Sequence, residues 1–149
     1  MTKTTDLLSA IPHRPPFLFI DEVVEVDSSQ IVARKFVDPE SDFFRGHYPD
    51  RPVMPGVLIC ESCFQAGAML IAHRLGGGNV SDGLPVLTRI GDARFKSMVK
   101  PGETLEVCVS LDDELDRAFY MTGRVRVGSR RVLRVSFCCM LADTEGEAA

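Results

Sequence analysis

Gly46-His47-Tyr48-Pro49-Asp50-Arg51-Pro52-Val53-Met54-Pro55-Gly56, running straight into the apolar segment Val57 to Leu75, is the stretch whose reading decides the fold. Prolines at 49, 52 and 55 fix backbone φ and remove N–H donors, so this is a stiff, extended loop and not a central strand. Val57 to Leu75 has the length and composition of one helix, about 30 Å long. Val57, Leu58, Ile59, Cys60, Phe64, Met69, Leu70 and Ile71 cover most of the helical wheel, which predicts a helix enclosed by other elements. Glu61 is the exception. A buried carboxylate either finds partners or is pushed toward its neutral form, and both situations concentrate at working sites. Gln65, one turn later, shares its face.

Outward from that helix the pattern changes to alternation. Phe17 to Val26 reads as a strand, and Ile31, Ala33, Lys35 and Val37 alternate with Val32, Arg34 and Phe36 in a second, with a hairpin at Asp27-Ser28-Ser29 between them. Asp6 to Ile11 predicts one short helical turn before Pro12. Gly76-Gly77-Gly78-Asn79 ends the long helix and opens a linker to about Gly83; a Gly triplet after a helix is not a phosphate cradle, which needs the strand-to-helix side. Three more strands follow, around Leu105 to Leu111, Arg124 to Val127 and Leu133 to Cys139, and the tail from Asp143 to Ala149 is expected to fray. One long helix among alternating strands predicts an α+β fold with a mainly antiparallel sheet and a buried helix.

The chain has 149 residues, of which 45% are hydrophobic, enough for one domain with a real core over residues 1–149. A formal net charge of −4 argues against a general nucleic-acid binder. Glu61, Ser62 and Gln65 interrupt the longest apolar segment, so no membrane span is expected, and Met1 to Asp6 lacks a secretory layout. The expected location is cytoplasmic. Five cysteines, an odd number without an export signal, predict reduced thiols. Cys60-x-x-Cys63 has no second pair and no His at zinc spacing, so these read as small buried helix residues, and Cys138 and Cys139 as packing residues on opposite faces of a strand.

Gly46-His47-Tyr48-Pro49 with Pro55-Gly56-Val57 resembles the 3-hydroxyacyl-acyl carrier protein dehydratases of type II fatty acid synthesis, which have a Gly-His-Phe-Pro loop leading to Pro-Gly-Val at a helix start. The resemblance extends to Ile11-Pro12-His13-Arg14-Pro15-Pro16-Phe17-Leu18, to Asp92-Ala93-Arg94-Phe95-Lys96 and to Val99-Lys100-Pro101-Gly102, and so covers nearly the whole chain. It implies a hotdog fold, an antiparallel sheet wrapped around one long central helix. It also implies a homodimer whose His and acid face each other across the interface, often assembled as a trimer of dimers, and acyl carrier protein as partner. The acyl chain arrives on phosphopantetheine, so no metal or redox cofactor is implied.

The residues supply the chemistry such a reaction needs. Dehydration requires a base for the C2 proton, stabilisation of the enolate oxygen and a proton for the departing C3 hydroxyl. His47 suits the base. Pro55 lacks an N–H, so the amides of Gly56 and Val57 are the first donors at the positive end of the helix dipole, and Gly56 allows a thioester carbonyl to approach. Glu61, held neutral by apolar surroundings, can protonate the hydroxyl. The resemblance assigns the same roles to His47, Glu61 and the Gly56 amide, has Gln65 orient the catalytic groups, and matches Arg94, Lys96 and Lys100, near Arg51, to basic positions that bind the acidic carrier.

Each residue also has a plainer reading: His47 as a loop histidine bonded to a nearby carbonyl, Glu61 as an interface carboxylate paired with an arginine, Gly56 as a turn glycine, Arg94, Lys96 and Lys100 as a solvated strand face. His13 and His73 read as structural. Phe64 and Arg89 depart from the family pattern: bulky Phe64 would reshape the acyl tunnel and its chain-length preference, and Arg89 would either favour a polar or specialised acyl group or simply point to solvent. A thioesterase, a coenzyme A-dependent enoyl hydratase and a non-catalytic acyl-binding module share the fold and stand as alternatives.

Overall fold

A computed structural model describes residues 4–76 and 83–143. In chain order the elements are α1 (Thr4–Ala10), β1 (Glu22–Val26), β2 (Gln30–Phe36), a 3-10 turn (Asp42–Arg45), α2 (Gly56–Arg74), β3 (Leu84–Phe95), β4 (Thr104–Leu115), β5 (Ala118–Val127) and β6 (Arg130–Ala142). The six strands form one sheet in the order β1-β2-β4-β5-β6-β3, with every neighbouring pair antiparallel. The sheet curls around α2, which packs against α1 and against β2 to β6. This is the hotdog arrangement that the sequence implies.

Alternation explains the wrapping. Leu105, Val107 and Val109 of β4 point inward, as do Phe119, Met121 and Val125 of β5 and Leu133, Val135 and Phe137 of β6, and all are buried. On α2 every residue from Ser62 to Ala72 is buried, about three turns with no solvent face. Two glycines bring the layers close. A Cβ on Gly123 of β5 would lie 2.7 Å from Cys63 Sγ, and one on Gly67 of α2 would lie 2.9 Å from the Phe137 ring. The thiols read as packing residues are free and buried at Cys60, Cys63, Cys138 and Cys139, while Cys108 is half-buried.

Several expectations need correction. The enclosure of α2 does not extend to its first turn, where Val57 is 74% exposed, because that turn lies beyond the sheet's wrap in a single chain. By length and composition α2 does qualify as a membrane span, contrary to the sequence reading, but 72% of its apolar window is buried within the fold. The first strand begins at Glu22 rather than Phe17, since the Phe17 carbonyl and Phe19 amide bond to the Gln65 side chain instead of a strand. β3 was not foreseen. Pro85, Arg89, Gly91, Asp92 and Arg94 break its apolar alternation, and as an edge strand it is largely exposed. β4, β5 and β6 run longer than expected: β4 continues into polar Asp112 to Glu114, whereas β5 starts earlier, through buried Ala118, Phe119 and Met121, and β6 ends later, through buried Leu141 and Ala142. The β1–β2 hairpin is as expected: Asp27 Oδ1 accepts from the Ser29 and Gln30 amides, which hold its carboxyl below the usual range. The linker expected at 77–82 and the tail at 144–149 lie outside the described residues.

Candidate active site

The proline-rich loop reaches α2 pinned at one point, where the Met54 amide donates to Val99 O at 2.8 Å and the Met54 side chain is buried. Tyr48 holds a φ of 50°, a left-handed conformation costly for a bulky residue, on the order of 1–3 kcal/mol. His47 Nδ1 lies 2.9 Å from Val53 O. A carbonyl only accepts, so Nδ1 carries the ring proton and Nε2 is left as a free base. The plainer reading of His47, a loop histidine bonded to a carbonyl, is therefore true, and that bond is what fixes the tautomer a base needs.

α2 begins directly after Pro55, whose carbonyl accepts from the Leu58 and Ile59 amides. The Gly56 and Val57 N–H groups precede the first intrahelical donors and are left at the positive end of the dipole. His47 and Gly56 line one groove of about 1180 Å³, with Arg51, Ile59, Phe95, Met98 and Lys100 among its other walls. Sheet register explains the presence of Phe95: it continues the inward row Ala33–Val107–Val125–Leu133 across the strands. A Cβ on Gly56 would lie 2.8 Å from the Phe95 ring, so only glycine fits there without displacing that ring.

Glu61 and Gln65 do not line this groove. They face the segment between α1 and β1. Gln65, fully buried, accepts from the Phe19 amide at 2.7 Å and donates to Phe17 O at 3.0 Å and to Glu61 Oε2 at 2.9 Å. Glu61 is only partly buried, with its side chain 20% exposed, and its other neighbour is His13, whose Nε2 is 3.6 Å from Oε2. Among the described residues no lysine or arginine of the same chain pairs with Glu61. Of the other candidates, Phe64 is buried edge-to-face on Phe137 at 4.9 Å, and Arg89 is exposed on β3. Arg94 points to the outer face of the sheet and pairs with Asp92, Lys96 is exposed just after β3, and Lys100 is in the groove wall.

The FabA-like domain model matches residues 11–136. The chain belongs to the FabA-like family. Among its relatives is the 3-hydroxyacyl-[acyl-carrier-protein] dehydratase FabZ of Anaeromyxobacter dehalogenans strain 2CP-1, 43% identical over 136 residues, which are 91% of this chain and 87% of that protein. The FabZ of Rickettsia bellii strain OSU 85-389 is 34% identical over 140 residues, 93% of this chain and 95% of that protein. Among solved structures, the dehydratase heterocomplex ApeI:P from Xenorhabdus doucetiae superposes with a TM-score of 0.80 at 15% identity, covering 97% of this chain and 95% of that one. Zebra fish thioesterase superfamily member 2 gives 0.71 at 11% identity, covering 93% and 95%. These two likenesses concern the fold, which FabA-like dehydratases and thioesterases share. Two features of this family member had no assigned place in the sequence reading: Phe95, which stood only within a motif of the resemblance because β3 went unrecognised, and the approach of His13 to Glu61, because it joins residues far apart in the chain.

Proposed function

We propose that this protein dehydrates 3-hydroxyacyl chains carried on acyl carrier protein to trans-2-enoyl chains, as its FabZ relatives are named for doing. His47 Nε2 takes the C2 proton, the Gly56 N–H stabilises the enolate oxygen, and Glu61 protonates the C3 hydroxyl as it leaves. The observation that carries the reading is the Val53 carbonyl on His47 Nδ1, which leaves a free basic nitrogen in a groove headed by unpaired helix amides. Acid–base chemistry of this kind needs only protein groups and the phosphopantetheine thioester.

Because Glu61 does not line the groove that holds His47, the complete site takes its base from one copy of the chain and its acid from a second. Exposed Val57, Ile90 and Met98, at the start of α2 and along and beyond β3, offer apolar surface for that pairing. Lys100 and Arg51 at the groove, with Lys96 and Arg94 beyond it, provide positive charge for an acidic carrier.

Absorbance-monitored hydration of crotonyl groups on acyl carrier protein and on coenzyme A tests this. The wild type should consume the enoyl signal, faster on the carrier protein, and His47→Ala should lower the rate by about 10²–10⁴. A folded wild type inert on both would identify an acyl-binding module instead, and a preference for coenzyme A would identify an enoyl hydratase.

A further inference from the structure

His13 stands on the segment between α1 and β1, its ring stacked on Phe17 with centroids 6.5 Å apart and planes 20° from parallel. Its Nε2 is 3.6 Å from Glu61 Oε2, the same oxygen that accepts from Gln65 Nε2 at 2.9 Å. Its Nδ1 is buried and has no hydrogen-bond partner among the described residues. A neutral imidazole carries one proton, and the surroundings of its two nitrogens decide where. On Nδ1 that proton would be a buried donor with nothing to receive it, a cost of about 1–3 kcal/mol; on Nε2 it faces a carboxylate oxygen. His13 is therefore the Nε2–H tautomer, the reverse of His47. At 3.6 Å the contact is electrostatic rather than a hydrogen bond.

We propose that His13 is a positioning residue for the proton of Glu61. The Gln65 N–H bonds Oε2 and the His13 N–H faces the same oxygen electrostatically, so the proton that Glu61 transfers resides on Oε1, which accepts no hydrogen bond from a described residue. The inference rests on the reading of Glu61 as the acid. In the step itself the Oε1–H bond breaks as the proton joins the C3 hydroxyl oxygen, and the C3–O electron pair leaves with water. The carboxylate left behind is held by both N–H groups, and the proton taken from C2 by His47 restores the acid once product and water depart. The other titratable neighbours, the Cys60 and Cys139 thiols, do not compete for charge, since burial pushes both up, Cys139 to about 12.

Two substitutions separate the donor from the packing. His13→Phe keeps a ring against Phe17 and removes the N–H; His13→Gln restores a side-chain N–H. In the crotonyl–carrier assay His13→Phe should lower kcat by up to about tenfold, the scale of one close electrostatic contact to a carboxylate, with KM within about twofold, and His13→Gln should recover most of the loss. A folded His13→Phe with wild-type kcat, or equal impairment of both variants, overturns the proposal. The imidazole ¹⁵N spectrum of the wild type gives a second readout that needs no turnover: protonation at Nε2 is expected, and a neutral ring protonated at Nδ1 overturns it. A wild type without activity, or a His47→Ala variant that retains it, would instead defeat the dehydratase reading and leave the tautomer result standing.

Discussion

The two polar ends of the site are held by opposite means. His47 rides on a loop stiffened by its own prolines and needs only a carbonyl six residues on, Val53, to fix its tautomer. Glu61 sits on a rigid helix, yet its surroundings come from a segment far back in the chain through Gln65, whose amide bonds Phe17, Phe19 and Glu61 together. The proposed base is positioned by local covalent stiffness, the proposed acid by long-range hydrogen bonding inside the core. Removing a catalytic side chain should therefore change kinetics alone, whereas removing the acid's support should change stability as well.

The sharpest way to break that contrast is Glu61→Gln. Its amide oxygen still accepts from Gln65, so fold and thermal midpoint should hold while kcat falls by about 10²–10⁴ through loss of the transferable proton. Unchanged kinetics would move Glu61 from chemistry to structure. Next in size is Gln65→Ala, which orphans the Phe17 carbonyl and the Phe19 amide, the latter in the core. At about 1–3 kcal/mol for each unpaired group, denaturant unfolding should show a loss of about 2–6 kcal/mol, together with a drop in kcat. A kinetic loss without a stability loss would mean that the clamp is not structural.

The smallest effect belongs to the turn behind Lys100 of the groove wall, where Glu103 accepts from the Lys100 amide. Burial alone would raise the Glu103 carboxyl, but the Lys100 amide and the Arg130 guanidinium more than offset it and hold it below its ordinary value. A lowered carboxylate contributes stability above the unfolded-state value, about 4.3, and loses it as pH falls through the folded one. Glu103→Gln should be less stable than wild type at neutral pH by no more than about 1 kcal/mol, the range for exposed pairs, with the gap closing below about pH 4. Unfolding midpoints measured across pH would read this; a gap that persists in acid would assign Glu103 a role other than charge.

The same contrast explains what was legible in the sequence. The loop, the start of α2 and the candidate base are local features, written in Pro49, Pro52, Pro55 and Gly56, and they emerged within one residue of their places. The clamp spans residues 17 to 65, and no spacing rule reports a contact between a helix amide and a distant backbone, so Phe17 to Asp21 read as strand. β3 failed for another reason. Alternation is visible only where one face is buried, and on that edge polar and apolar residues alike are exposed. The buried strands β4, β5 and β6, which have such a face, read as strands but shorter than they are: β4 lacks its polar end, β5 its largely buried start at Ala118 to Gly123 and β6 its buried end at Leu141 and Ala142.

Gly67 and Gly123 give the helix and sheet almost no tolerance. Machinists would call this a bearing without clearance: one added methyl has nowhere to go except into the seating of the whole rod. Since that rod presents the Gly56 amide at its tip and Glu61 little more than a turn further on, damage done at mid-helix is delivered at the groups proposed to do the chemistry. Inactive variants recovered at these two glycines would look like lesions of the catalytic groups while mapping to the most ordinary residues in the core.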